Sequence, residues 1–129
     1  ISILGSRVKN YFVMRNIKNP ILLKILISFQ LIMMTFLSLK SQHDIIQVSL
    51  NDKLLHFMAY STLTLWLYLL FSSKTILIKS LFLLFLYGLF IEFLQYFIPN
   101  RYFSVMDILA NFLGIFVTTM VVKKIKLLD

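Results

Sequence analysis

Residues 75–98 read TILIKSLFLLFLYGLFIEFLQYFI, and Pro99 follows directly. The run matches the ~20 apolar residues that cross a bilayer as a helix, and the proline closes it because it has no backbone N–H to continue the ladder. Near its end sit Glu92 and Gln95. Ionisable groups at membrane depth are costly and usually have a purpose. The run therefore predicts a membrane helix with a site at one end.

Three similar runs surround it. The first covers about Pro20 to Leu39, opened by Asn19 as N-cap and Pro20 at the first helical position. The second covers about Asp52 to Ser72. The last covers about Val105 to Val122, opened by Ser104 and closed by Lys123-Lys124-Ile125-Lys126. Of the 129 residues, 60% are hydrophobic and 14% charged, whereas a soluble domain carries roughly a quarter charged residues. The expected fold is all-α: an integral membrane bundle of four transmembrane helices with short loops and antiparallel neighbours. Residues 40–51 form the longest linker, with enough Ile and Val to lie on the interface.

The chain begins at Ile1, and Met14 followed by Arg15-Asn16-Ile17-Lys18 reads as a start just before the first span. Residues 1–13 are then expected to be an extension upstream of the native start, or the chain to be a fragment, with 1–19 a cytoplasmic segment. A membrane domain at 20–122 and a basic tail at 123–129 follow. No cleavable signal peptide is expected, because the first apolar stretch continues into a full span.

Net charge is +8. Its placement argues against nucleic acid: the basic residues sit between apolar runs, where they set orientation. One side carries Arg7, Lys9, Arg15, Lys18, Lys24, Lys74, Lys79, Lys123, Lys124 and Lys126, and the other only Lys40, Lys53 and Arg101. Both termini are expected in the cytoplasm, with the polar residues on the outer face. With no cysteine, thiolate and disulfide chemistry is excluded.

Helical spacing turns the polar residues into stripes: Asp52, His56 and Tyr60; then Gly88, Glu92, Gln95 and Pro99; then Asp107, Asn111, Gly114 and Thr118. At a rise of ~1.5 Å per residue, His56 and Gln95 form a shallow tier and Glu92 and Asn111 a deeper one. Asp52 and Asp107 each follow a serine by three residues, Ser49 and Ser104, so both also fit a capping box. Asp52 is placed to orient the His56 ring for proton transfer. Glu92 asks most for a functional account; its structural alternative is a partnership with Arg101 or His56. Gln95 and Asn111 read first as hydrogen-bonding glue between helices. Tyr60, Gln30 and Met33-Met34 read as interface or lipid-facing residues.

The segments Asp52-Lys53-Leu54-Leu55-His56-Phe57, Glu92-Phe93-Leu94-Gln95, Arg101 and Asp107-Ile108-Leu109-Ala110-Asn111-Phe112-Leu113-Gly114, in that order, resemble the VanZ-like family over roughly residues 20–122. The resemblance implies a small, mostly bacterial, multi-spanning membrane protein, whose name-giving member is linked to low-level teicoplanin resistance. Its motif carries over to Asp52, Lys53, His56, Glu92, Gln95, Arg101, Asp107, Asn111 and Gly114. The label phosphotransbutyrylase, given to some relatives, has no support in a chain without a Gly-rich phosphate loop.

The leading expectation is a cell-envelope protein that binds or modifies an amphiphilic or cell-wall-related ligand at the outer leaflet. Glu92, His56 and Asp52 would do acid–base work, while Arg101, Gln95, Asp107, Asn111 and Lys53 hold the ligand. The residues leave enzyme and binder equally open. The alternative is a non-catalytic structural or regulatory subunit whose polar cluster fixes packing. A divalent metal on Asp52, His56, Glu92 and Asp107 ranks below both, since no tight pair such as HExxH anchors it; no metal or cofactor is expected. Proton-coupled transport by the buried acid would require oligomers of so narrow a bundle.

Overall fold

The computed structural model describes residues 19–40 and 50–128, which form four helices and no strand. Helix α1 is Pro20–Leu39, α2 Leu50–Leu70, α3 Lys74–Gln95 and α4 Val105–Leu128. The expected extension at 1–13, the linker at 41–49 and the Ser49 cap lie outside the described residues.

Local chemistry sets the helix ends. Asn19 Oδ1 accepts the amides of Ile21 at 3.1 Å and Leu22 at 3.3 Å, satisfying donors that a helix start otherwise leaves open. α3 ends at Gln95, before the apolar run does. Pro99 disfavours helical geometry at Ile98, and the chain tightens through bonds from Phe97 N to Leu94 O and from Ile98 N to Gln95 O, both 3.1 Å. Asn100 then adopts φ 63°, a left-handed conformation that asparagine tolerates better than most residues. α4 runs on through Lys123 and Lys124, and α2 begins at Leu50, ahead of Asp52.

Among the described residues, three helices are long and apolar enough to cross a membrane: Pro20–Leu39, Lys74–Gln95 and the Val105–Ile125 part of α4. α2 is more polar, and one of its faces is buried against the other helices while Leu54, Leu55 and Met58 are exposed. Tyr60, Leu63, Thr64 and Tyr68 of α2 are all buried, and Tyr60 and Leu63 pack with Leu84 of α3 as the core. The hydroxyls of Ser61, Thr62 and Thr64 donate to carbonyls one turn back, at 2.7–2.8 Å, so they need no outside partner. Phe29, Phe36, Leu83, Phe90 and Phe116 of the other helices point outward and are exposed. Water would penalise so continuous an apolar surface; lipid tails match it.

α2 packs most extensively against α4. Gly114 makes that approach possible: a Cβ there would lie 2.6 Å from the Phe57 carbonyl oxygen and 3.1 Å from Tyr60 Cβ. Small residues let helix backbones approach in this way.

Candidate functional site

The polar residues meet where α1 and α3 end and α2 and α4 begin. Asp52 and Asp107 each lie two residues beyond a helix start, and His56 and Asn111 each six. His56 is therefore level with Asn111, and its Nδ1 lies 3.0 Å from Asn111 Oδ1. This corrects the division into a shallow His56 and a deep Asn111, because α2 starts earlier than the apolar pattern indicates. Asn111 orients the ring. Asp52 stands close by, its carboxylate within 4.8 Å of both the His56 and Asp107 ligand atoms.

The capping box at Ser104 is half formed. Ser104 Oγ accepts the Asp107 amide at 3.3 Å, the first half of the motif. The reciprocal bond would take the Ser104 amide to Asp107, but that amide goes to Glu92 Oε2 at 3.1 Å instead. The Asp107 carboxylate is thereby released toward Lys53 and His56, with Lys53 Nζ 3.9 Å from Oδ1 and His56 Nε2 3.9 Å from Oδ2. Both separations exceed hydrogen-bond length.

Glu92 is fully buried. Its Oε2 holds the Ser104 amide and its Oε1 has no hydrogen-bond partner. Neither alternative partner takes it: the Arg101 guanidinium donates from Nε to Lys40 O at 3.0 Å and from Nη2 to Leu37 O at 2.8 Å. Arg101 thus caps the C-terminal carbonyls of α1. Gln95, also buried, donates to Ser38 O at 2.9 Å and ties α3 to the same end of α1. Among the described residues, the buried side-chain atoms without a hydrogen-bond partner are Glu92 Oε1, Asp107 Oδ1 and Thr119 Oγ1. Buried carboxylate oxygens left this way are uncommon and call for an explanation.

Glu92 borders a small cavity shared with Met34, His56, Tyr60, Tyr87 and Asn111, with room for roughly one water molecule. Tyr60 is buried rather than lipid-facing, its hydroxyl seated over Gly88, where a Cβ would lie 2.7 Å away. Gln30 donates to Ala59 O at 2.9 Å, joining α1 to α2. Sequence reasoning did not single out Tyr87, whose hydroxyl contacts Thr35 Oγ1 and Leu31 O, or the Ser104 amide. Tyr60 had a signal, since it continues the Asp52–His56 stripe. The Ser104 amide had none, because a backbone donor has no letter of its own.

Apolar helices enclosing a polar cluster at one end define a helical membrane protein with a buried carboxylate site. The chain matches the VanZ/LLP1 family over residues 5–127 and belongs to that family. Searches of curated proteins and of solved structures return no match.

Proposed function

We propose that this VanZ-family protein crosses the membrane four times, with α2 as the fourth span beside the three more apolar helices. Both termini lie in the cytoplasm, and the polar cluster opens on the outer face. The basic bias supports that orientation: Lys24, Lys74, Lys79, Lys123 and Lys124 lie toward one end of the helices, and only Lys40, Lys53 and Arg101 toward the other. At the outer face the cluster recognises the polar part of an amphiphilic, cell-wall-related ligand, and it thereby alters susceptibility of a bacterial host to teicoplanin.

The observation that carries this reading is Glu92: a fully buried carboxylate with one oxygen unpaired, facing a cavity shared with His56 and Asn111. The cavity is too small for a head group, so the ligand meets the rim formed by Asp52, Lys53, His56 and Asp107. Glu92 then serves as the charge behind that rim. A packing role alone favours a carboxylate with both oxygens satisfied.

Glu92→Gln separates charge from packing. An amide oxygen still accepts the Ser104 amide, so stability should change by no more than about 1 kcal/mol. Cells expressing the wild-type chain are expected to tolerate more teicoplanin than cells with an empty vector, and the inserted, folded variant is expected to lose that difference. Retention of the full phenotype by Glu92→Gln sinks the ligand reading. Loss of phenotype only in proportion to loss of thermal stability in detergent points instead to a structural or regulatory subunit.

A further inference from the structure

Asp52, His56 and Asp107 each offer a ligand atom, and the three atoms lie within 4.8 Å of one another. Two independent features aim this group inward. Asp107 is 6% exposed, and its Oδ1 is buried without a hydrogen-bond partner, because Glu92 has taken the Ser104 amide that a capping aspartate normally holds. Asn111 Oδ1 lies 3.0 Å from His56 Nδ1 and so occupies that ring nitrogen. Nε2 then faces Asp107 Oδ2 at 3.9 Å, beyond hydrogen-bond length. A histidine whose far nitrogen donates to an oxygen while the near one faces carboxylates has the usual arrangement of a metal ligand and its supporting shell.

We infer that Asp52, His56 and Asp107 bind one divalent transition-metal ion, Zn²⁺ or Mn²⁺. The imidazole favours these over Mg²⁺ or Ca²⁺, which prefer oxygen-only sets. Ligand bonds of about 2.0–2.2 Å require the three atoms to draw closer together than they now stand. Three protein ligands leave a coordination position open for water or an anionic oxygen. Lys53 is the rival cation: its Nζ is 3.9 Å from Asp107 Oδ1, and its long side chain can swing to the interface. Glu92 stays outside the set, and its bearing on the ion is that it keeps the Ser104 amide away from Asp107. This inference does not depend on any amphiphile binding, and the metal alone is the probe.

The test uses the full chain in detergent, stripped with a chelator and titrated with Mn²⁺ by electron paramagnetic resonance and with Zn²⁺ by calorimetry. One ion per chain is expected, undisplaced by millimolar Mg²⁺. His56→Gln should weaken binding at least about 100-fold, and Asn111→Leu about 10–100-fold. Lys53→Met should tighten binding roughly tenfold or more by removing a competing charge. Lys53 is partly exposed, so this last variant decides the matter even if His56→Gln fails to fold. Stoichiometry far below one, unaltered affinity in folded His56→Gln, or weaker binding in Lys53→Met overturns the inference.

Discussion

The polar end of the molecule has two halves that are finished differently. On the α1 side, Gln95 and Arg101 point donors at the carbonyls of Leu37, Ser38 and Lys40, which end a helix and need donors. On the α2–α4 side, Glu92 and Asp107 each keep an oxygen without a hydrogen bond. One half is a clamp and the other is left incomplete. Buried polar groups rigidify a protein when fully satisfied, and partly satisfied networks are costly. The incomplete half is therefore where a ligand has something to add.

The largest effect is expected where the incomplete half is held together. Gly114→Ala places a Cβ 2.6 Å from the Phe57 backbone oxygen, so α4 must move away from α2 at a cost of about 1–3 kcal/mol. The shift also separates His56 from Asn111. Thermal unfolding in detergent should show a clear loss of stability, together with loss of the proposed teicoplanin phenotype. A variant as stable as wild type means that the α2–α4 contact is looser than its geometry indicates, and the contrast between the halves fails with it.

The clamp is expected to respond differently. Arg101→Met removes two bonds to α1 carbonyls; because they are exposed, the loss should be about 1–2 kcal/mol. Gln95→Met removes one buried-donor bond, for about 0.5–1.5 kcal/mol. Both variants should lose phenotype only in step with stability. A stable Arg101→Met without the phenotype moves Arg101 out of the clamp and restores it as a ligand residue.

Apolar runs and a proline made three helices legible, because length and hydrophobicity are enough to define a span. α1 begins where Asn19 and Pro20 indicate, and its cap bonds are present. α2 was harder to place. Its start at Leu50 decides which residues are level with His56, and nothing in the pattern around Asp52 fixes that start to within a turn. The stripes correctly grouped Asp107 with Asn111 and Glu92 with Gln95, since helical spacing is a local property. Partnerships across helices were not legible. That Glu92 takes the Ser104 amide, that Asn111 and not Asp52 orients His56, and that Arg101 reaches α1 all depend on how helix ends are offset in three dimensions.

The smallest expected effect tests where the boundary between the halves runs. The Tyr87 ring lines the cavity beside Glu92, yet its hydroxyl contacts Thr35 Oγ1 and Leu31 O on α1. Thr35 itself donates to Leu31 O at 2.8 Å, so Tyr87→Phe leaves that carbonyl with a donor and keeps the ring in place. Hydrogen bonds between membrane helices are worth about 0.6 kcal/mol on average, and the melting temperature should fall only slightly. The phenotype should be unchanged, because the hydroxyl belongs to the clamp. A Tyr87→Phe protein of near wild-type stability that has lost the phenotype would place this hydroxyl with Glu92 and His56, and the incomplete half would then extend across the cavity to α1.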